Sequence, residues 1–149
     1  MRDYIVDASV VAKWLLPEAD HERAKMLIDA PFHLRAPDLI TPELLSVLIK
    51  RIVRLQMTVQ QCNEMLQRFL NEYLDTRVRL IPSRLVAKNA FQIANKEKRS
   101  VYDSLYIALA VQAHCQLITA DERLVAGIKD RRLKQHLIFL NDPSLELNP

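Results

Sequence analysis

The stretch YIVDASVVAKW, residues 4–14, decides how the rest of the chain is read. Tyr4, Ile5 and Val6 are strand-forming and uninterrupted by polar residues, the pattern of a strand buried on both faces of a parallel sheet. A carboxylate at Asp7 follows at once, then a hydroxyl at Ser9, then residues with helical period. A strand that runs into a helix through an acid opens a βα unit, and open parallel sheets bind ligands beyond the carboxyl ends of their strands. Asp7 is therefore a candidate helix cap and a candidate site residue at the same time.

The same alternation continues along the chain. Short strand-like runs at 4–6, 33–35, 78–81, 116–119 and 137–139 are separated by helical patterns, which predicts a βα architecture with a mainly parallel sheet. A helix is expected over 39–55, with Leu44, Leu45, Leu48, Ile52 and Leu55 on its apolar side, Lys50, Arg51 and Arg54 opposite, Asp38 or Thr41 as cap and Pro42 in its first turn. A second is expected over 58–75, capped by Thr58 and carrying Val59, Cys62, Leu66, Phe69, Leu70, Tyr73 and Leu74 inward. The segment RSVYDSLYIALAVQA, residues 99–113, is apolar nearly all round beyond Asp103 and reads as a helix buried on most sides.

Composition bounds the alternatives. The chain has 149 residues, half of them apolar, enough for one core without disulfides or structural metal. One domain over residues 1–141 is expected, with an irregular and mobile tail over 142–149. Neither an apolar run of membrane-spanning length nor a signal peptide is visible, and Cys62 and Cys115, without CxxC spacing, read as buried free thiols. Cytoplasm is the expected compartment. His21, His33, His114 and His136 have no zinc-binding spacing. The single glycine, Gly127, rules out the glycine-rich turns that cradle nucleotides. The net charge of +3 is unevenly spread, with basic clusters at Lys50/Arg51/Arg54, at Lys96/Lys98/Arg99 and at Lys129/Arg131/Arg132/Lys134.

Four acids stand out by position. Asp7 follows the first strand and Asp121 follows the fourth, while Glu43 and Asp103 lie near helix starts. Each has a structural use as a cap or dipole partner, with Ser100 and Asp103 at capping-box spacing. If the first and fourth strands are neighbours, all four converge on one cleft, where like charges raise at least one pKa. A hard divalent cation, Mg²⁺ or Mn²⁺, relieves that repulsion with oxygen ligands alone. Ser9 and Thr119 are then hydroxyls placed to orient a carboxylate, a water or a phosphate, or to bond local backbone. Glu122 is a further acid, expected to face solvent.

The segments IVDASVVAKWLLPE, APDLITPELLSVL, VYDSLYIALA and LITADERL, in that order, resemble the PIN-domain ribonucleases, most closely the VapC-type toxins of prokaryotic toxin–antitoxin pairs. The resemblance runs from Tyr4 to about Leu140. It implies a three-layer α/β/α sandwich with a five-stranded parallel sheet, and an acidic cluster that binds Mg²⁺ or Mn²⁺ and cleaves single-stranded or looped RNA, leaving 5′-phosphate and 3′-hydroxyl ends. The family's acids match Asp7, Glu43, Asp103 and Asp121, and its hydroxyls match Ser9 and Thr119. Ser46 departs from the asparagine that many relatives carry three residues after the glutamate. A homodimer and an antitoxin partner are also implied, with Trp14, Leu15 and Leu16 assigned to ordinary core or to a partner groove. Two other readings are a PIN-fold module that binds RNA or protein without cleaving, and a HAD-like phosphatase with Asp7 as nucleophile, against which Ser9 occupies the place of the second aspartate.

Overall fold

Apolar strands that need cover on both faces produce a layered arrangement in the computed structural model, which describes residues 1–147. Strands β1 (Arg2–Val6), β2 (Phe32–Pro37), β3 (Val78–Ile81), β4 (Gln116–Thr119) and β5 (Leu137–Phe139) form one sheet in the order β3-β2-β1-β4-β5. Every pairing is parallel. Helices α1 (Ala8–Leu15), α2 (His21–Asp29), α3 (Ile40–Val53), α4 (Val59–Arg68), α5 (Ala87–Glu97), α6 (Val101–Gln112), α7 (Glu122–Gly127) and α8 (Arg131–Lys134) complete a three-layer α/β/α sandwich. The last three strands occupy the expected residues, whereas β1 begins at Arg2 and β2 runs out to Pro37.

The order of the strands makes the site possible. After β1 the chain builds β2 and β3 on one side, then crosses to β4 and β5 on the other, so the order reverses between β1 and β4. That reversal is where open α/β sheets form a ligand crevice. Register brings Val6 level with Ile118, and the Asp7 N–H donates to Ile118 O at 3.0 Å, so the ends of the two strands meet.

The core is continuous across the layers. Ile5, Val6, Leu34, Val78, Leu117 and Ile118 are buried in the sheet, with Trp14, Leu16 and Leu27 packed on them. Trp14 Nε1 donates to Ala24 O at 2.8 Å and its ring meets Tyr73 edge-on at 5.4 Å. Ser104 through Ala110 are all buried, as the apolar run of α6 predicts. Trp14, Leu15 and Leu16 are core residues.

Several expectations are corrected. α3 stops at Val53 because Leu55 turns into the left-handed region (φ 56°), where its N–H and that of Gln56 satisfy the last carbonyls. Leu55 is 93% exposed, and Leu45, Ile49 and Val53 face solvent too, leaving Ile40, Leu44 and Leu48 as the buried stripe. Neither Asp38 nor Thr41 caps α3; Leu39 holds the cap position, and Asp38 instead accepts from the Ser83 N–H and hydroxyl. Thr58 does cap α4, in a reciprocal capping box with Gln61. The helix expected to Asp75 gives way to a π turn over Phe69–Tyr73, which keeps Phe69 and Tyr73 inward; Val59 and Leu70, expected to face inward, are exposed. Cys115 lies outside any helix and is only half-buried.

Residues 142–147 form no helix or strand, yet they are not loose. Leu145 and Leu147 are buried, and the Arg23 guanidinium donates to the carbonyls of Leu140, Asp142 and Leu145. Asn148 and Pro149, the end of the expected tail, lie outside the described residues.

Candidate active site

Asp7 sits where α1 would be capped, but its side chain makes no cap bond. Its Oδ2 accepts instead from Ser9 Oγ at 2.7 Å and from Thr119 Oγ1 at 2.6 Å. Both hydroxyls are themselves fixed by backbone: Ser9 Oγ accepts from the Ala120 N–H and Thr119 Oγ1 from the Asp121 N–H, each at 3.0 Å. With Oδ2 saturated by hydroxyls, Oδ1 is the oxygen left to offer a ligand. Burial pushes the Asp7 carboxyl above its ordinary pKa, the two hydroxyl bonds oppose that, and the Asp103 charge adds to it.

Glu43 comes from the first turn of α3 and is half-buried. Tyr106, buried on α6, donates to its Oε2 at 2.6 Å. Burial raises the Glu43 pKa to about 7; the Tyr106 bond lowers it, and the charges of Asp7 and Asp103 raise it. Asp103 stands at the mouth of α6, where its N–H donates to Ser100 Oγ at 3.1 Å. Its pKa is raised by burial first and by Asp121 as well, while Ser100 and Arg99 pull it down. The guanidinium of Arg99 lies on Gly127, where any Cβ would collide with it. The one glycine of the chain thus makes room for a cation beside the acids.

Asp121 does two jobs. Its Oδ1 caps α7 by accepting from the N–H groups of Arg123 and Leu124 at 3.0 and 3.1 Å, so the structural use open to it in the sequence is realised. It nevertheless lines the same cavity as Asp7, Glu43 and Asp103, a space of about 630 Å³ at the β1/β4 switch point. Ser9 and Ser46 also line it, whereas Glu122 is exposed and does not.

Of the basic residues, Lys50 lines the cavity. Arg51 is engaged with Glu18, and Lys96 with Asp130. Sequence reasoning missed Tyr106 and Tyr102, which also lines the cavity. Tyr106 lies three residues after Asp103, a helical spacing that places both on one side of α6 and was the available signal.

Among the described residues no three His, Cys, Asp or Glu side chains stand close enough to form a finished ligand cage. The donor set is nonetheless suited to a hard cation held by few carboxylates and its own waters. It is made of oxygen alone, and three of its four acids are pushed toward protonation by burial and mutual repulsion, which a divalent charge relieves.

The family model for the PIN domain matches residues 4–127. Ribonuclease VapC3 from Pyrobaculum aerophilum is 30% identical over 120 residues, covering 80% of this chain and 90% of that one. The crystal structure of PAE2754 from Pyrobaculum aerophilum superposes with a TM-score of 0.65 at 21% identity, over 93% of this chain and 84% of the other. That of Mycobacterium tuberculosis VapC20, a sarcin-ricin loop cleaving toxin, gives 0.57 at 18% identity, over 85% and 96%.

Proposed function

The chain belongs to the PIN-domain family, and from that premise we propose that it is a metal-dependent endoribonuclease, the toxin of a toxin–antitoxin pair. The observation that carries the reading is the buried Asp7 carboxylate. It is withdrawn from helix capping, held by two hydroxyls, and shares one cavity with Glu43, Asp103 and Asp121. The similarity to Ribonuclease VapC3 supports RNA as substrate.

Asp7, Asp103 and Asp121 are the residues to hold Mg²⁺ or Mn²⁺, with Glu43 reaching it through water or serving a second ion. When bound, the ion supplies an activated water and offsets the charge that develops on the phosphoryl group. Ser9 and Thr119 fix the rotamer of Asp7, and Tyr106 fixes Glu43, so the carboxylates do not swing to solvent. Lys50 draws the polyanion toward an otherwise acidic mouth, which makes binding fall with salt. A HAD-like phosphatase is disfavoured because Ser9, in the place of its acid/base aspartate, is spent on Asp7.

No described helix is long and apolar enough to cross a membrane. Leu45, Ile49 and Val53, spaced four apart on the outer side of α3, leave an apolar row that supports association with a second copy or an antitoxin segment. The test is RNA cleavage by wild type and by Asp7→Asn and Asp103→Asn, with and without EDTA. Cleavage undiminished in folded variants, or in EDTA, rejects the proposal.

A further inference from the structure

Three of the four tyrosines, Tyr4, Tyr73 and Tyr106, are buried; Tyr102 is 64% exposed. It is the second residue of α6, directly before Asp103, and it lines the acid cavity. Its ring packs on no other aromatic ring among the described residues. A large apolar face is thus held in water at the edge of the acids, where it gains by being covered. Across the cavity, α3 presents Glu43, Ser46, Val47 and Lys50 at i, i+3, i+4 and i+7, so one helix face carries an acid at its start and a cation two turns on. Lys50 forms no ion pair among the described residues, unlike its neighbour Arg51.

An exposed aromatic plane, a free ammonium and a group of carboxylates in one cavity match the parts of a single nucleotide unit. The plane takes a base face, the ammonium takes a phosphate, and the acids lie at the bond to be cut. Resting on the ribonuclease reading above, we propose that Tyr102 is the stacking platform for an unpaired base beside the scissile phosphate, with Lys50 holding an adjoining backbone phosphate. A base lying on Tyr102 cannot at the same time sit within a duplex stack.

The experiment combines protein and substrate changes. Anisotropy of a labelled single-stranded oligoribonucleotide is measured with Ca²⁺ in place of Mg²⁺ for wild type, Tyr102→Phe and Tyr102→Leu. It is repeated with a set of the same oligomer carrying one abasic site at successive positions. Steady-state cleavage in Mg²⁺ and a thermal melt accompany each protein. Tyr102→Phe is expected to bind within about twofold of wild type, and Tyr102→Leu about tenfold more weakly, with the loss in KM rather than kcat and no change in melting temperature. One abasic position should weaken wild type about tenfold and leave Tyr102→Leu unaffected. Equal abasic penalties in both proteins at every position, or wild-type affinity in Tyr102→Leu, overturns the stacking role. If wild type leaves RNA intact in Mg²⁺ and Mn²⁺, the nuclease reading falls, while the anisotropy comparison still decides whether Tyr102 stacks a base.

Discussion

Thr119 Oγ1 donates to Asp7 Oδ2 at 2.6 Å, joining residues 112 positions apart where β1 and β4 end side by side. Both are buried, so this bond fixes the most enclosed carboxylate of the site. Thr119→Val keeps the side-chain shape and removes the donor. It also leaves the Asp121 N–H without its acceptor. A bond to a charged acceptor of this kind is worth about 1.5–3 kcal/mol. A drop of that size in chemical denaturation, with weaker metal-induced stabilisation, is the expected result; wild-type stability would show that the hydroxyl is dispensable.

Asp7→Asn separates stability from activity. Burial disfavours the ionised carboxylate, so the neutral amide should leave the metal-free protein at least as stable as wild type. The rise in melting temperature on adding Mg²⁺ or Mn²⁺ should shrink sharply, because metal stabilises only the state that binds it. Thermal melts with EDTA and with a divalent-ion series decide this. A full metal shift in Asp7→Asn would remove Asp7 from the ligand set.

Glu43 predicts a pH dependence of defined sign. Its folded-state pKa, raised from 4.5 to about 7 chiefly by burial, means that folding favours its protonated form. That contribution is complete below about pH 4.5 and is lost as pH rises through 7. In EDTA, this group should make the protein less stable at pH 8 than at pH 5 by about 1–2 kcal/mol, after allowance for its partial exposure. Glu43→Gln should flatten that limb. A slope equally steep in the variant would assign it to other groups.

His114 follows the end of α6 with φ at 52°, one of five non-glycine residues in the left-handed region among the described residues, in a chain with a single glycine. Its side chain is exposed and takes no part in the site. His114→Gly removes the Cβ penalty and should stabilise the protein by about 0.5–1 kcal/mol, net of the extra unfolded-state entropy. Denaturant midpoints check it, and RNA cleavage should not change.

Leu145 and Leu147 behave as core. Leu145→Ala is expected to cost about 2–4 kcal/mol, since it empties a buried site held in place by Arg23. A loss under about 0.5 kcal/mol would mean that the segment detaches readily in solution.

The strands were legible from sequence because a buried parallel strand writes itself as a short apolar run, and three of the five strands have the expected bounds. The acids were legible as candidates because position after a strand or at a helix start is a local property. Exposure was less legible: Leu45 and Leu55 share the period of α3, but period states only that residues lie on one face, not how wide the covered stripe is. Lys50 could not be told from Arg51 within a basic cluster, and Tyr102 reads like any aromatic beside an apolar run.

The sequence by itself determined where the strands and the helices carrying Glu43 and Asp103 lie and which residues carry charge, since backbone preference and side-chain chemistry act over neighbouring residues. Only the tertiary structure decided that β4 returns beside β1, that Thr119 and Ser9 meet on Asp7, that Tyr106 reaches Glu43, and that Lys50 and Tyr102 share the cavity. Those juxtapositions come from packing layers around one core, an energy that depends on residues far apart along the chain and so leaves no mark in any local pattern.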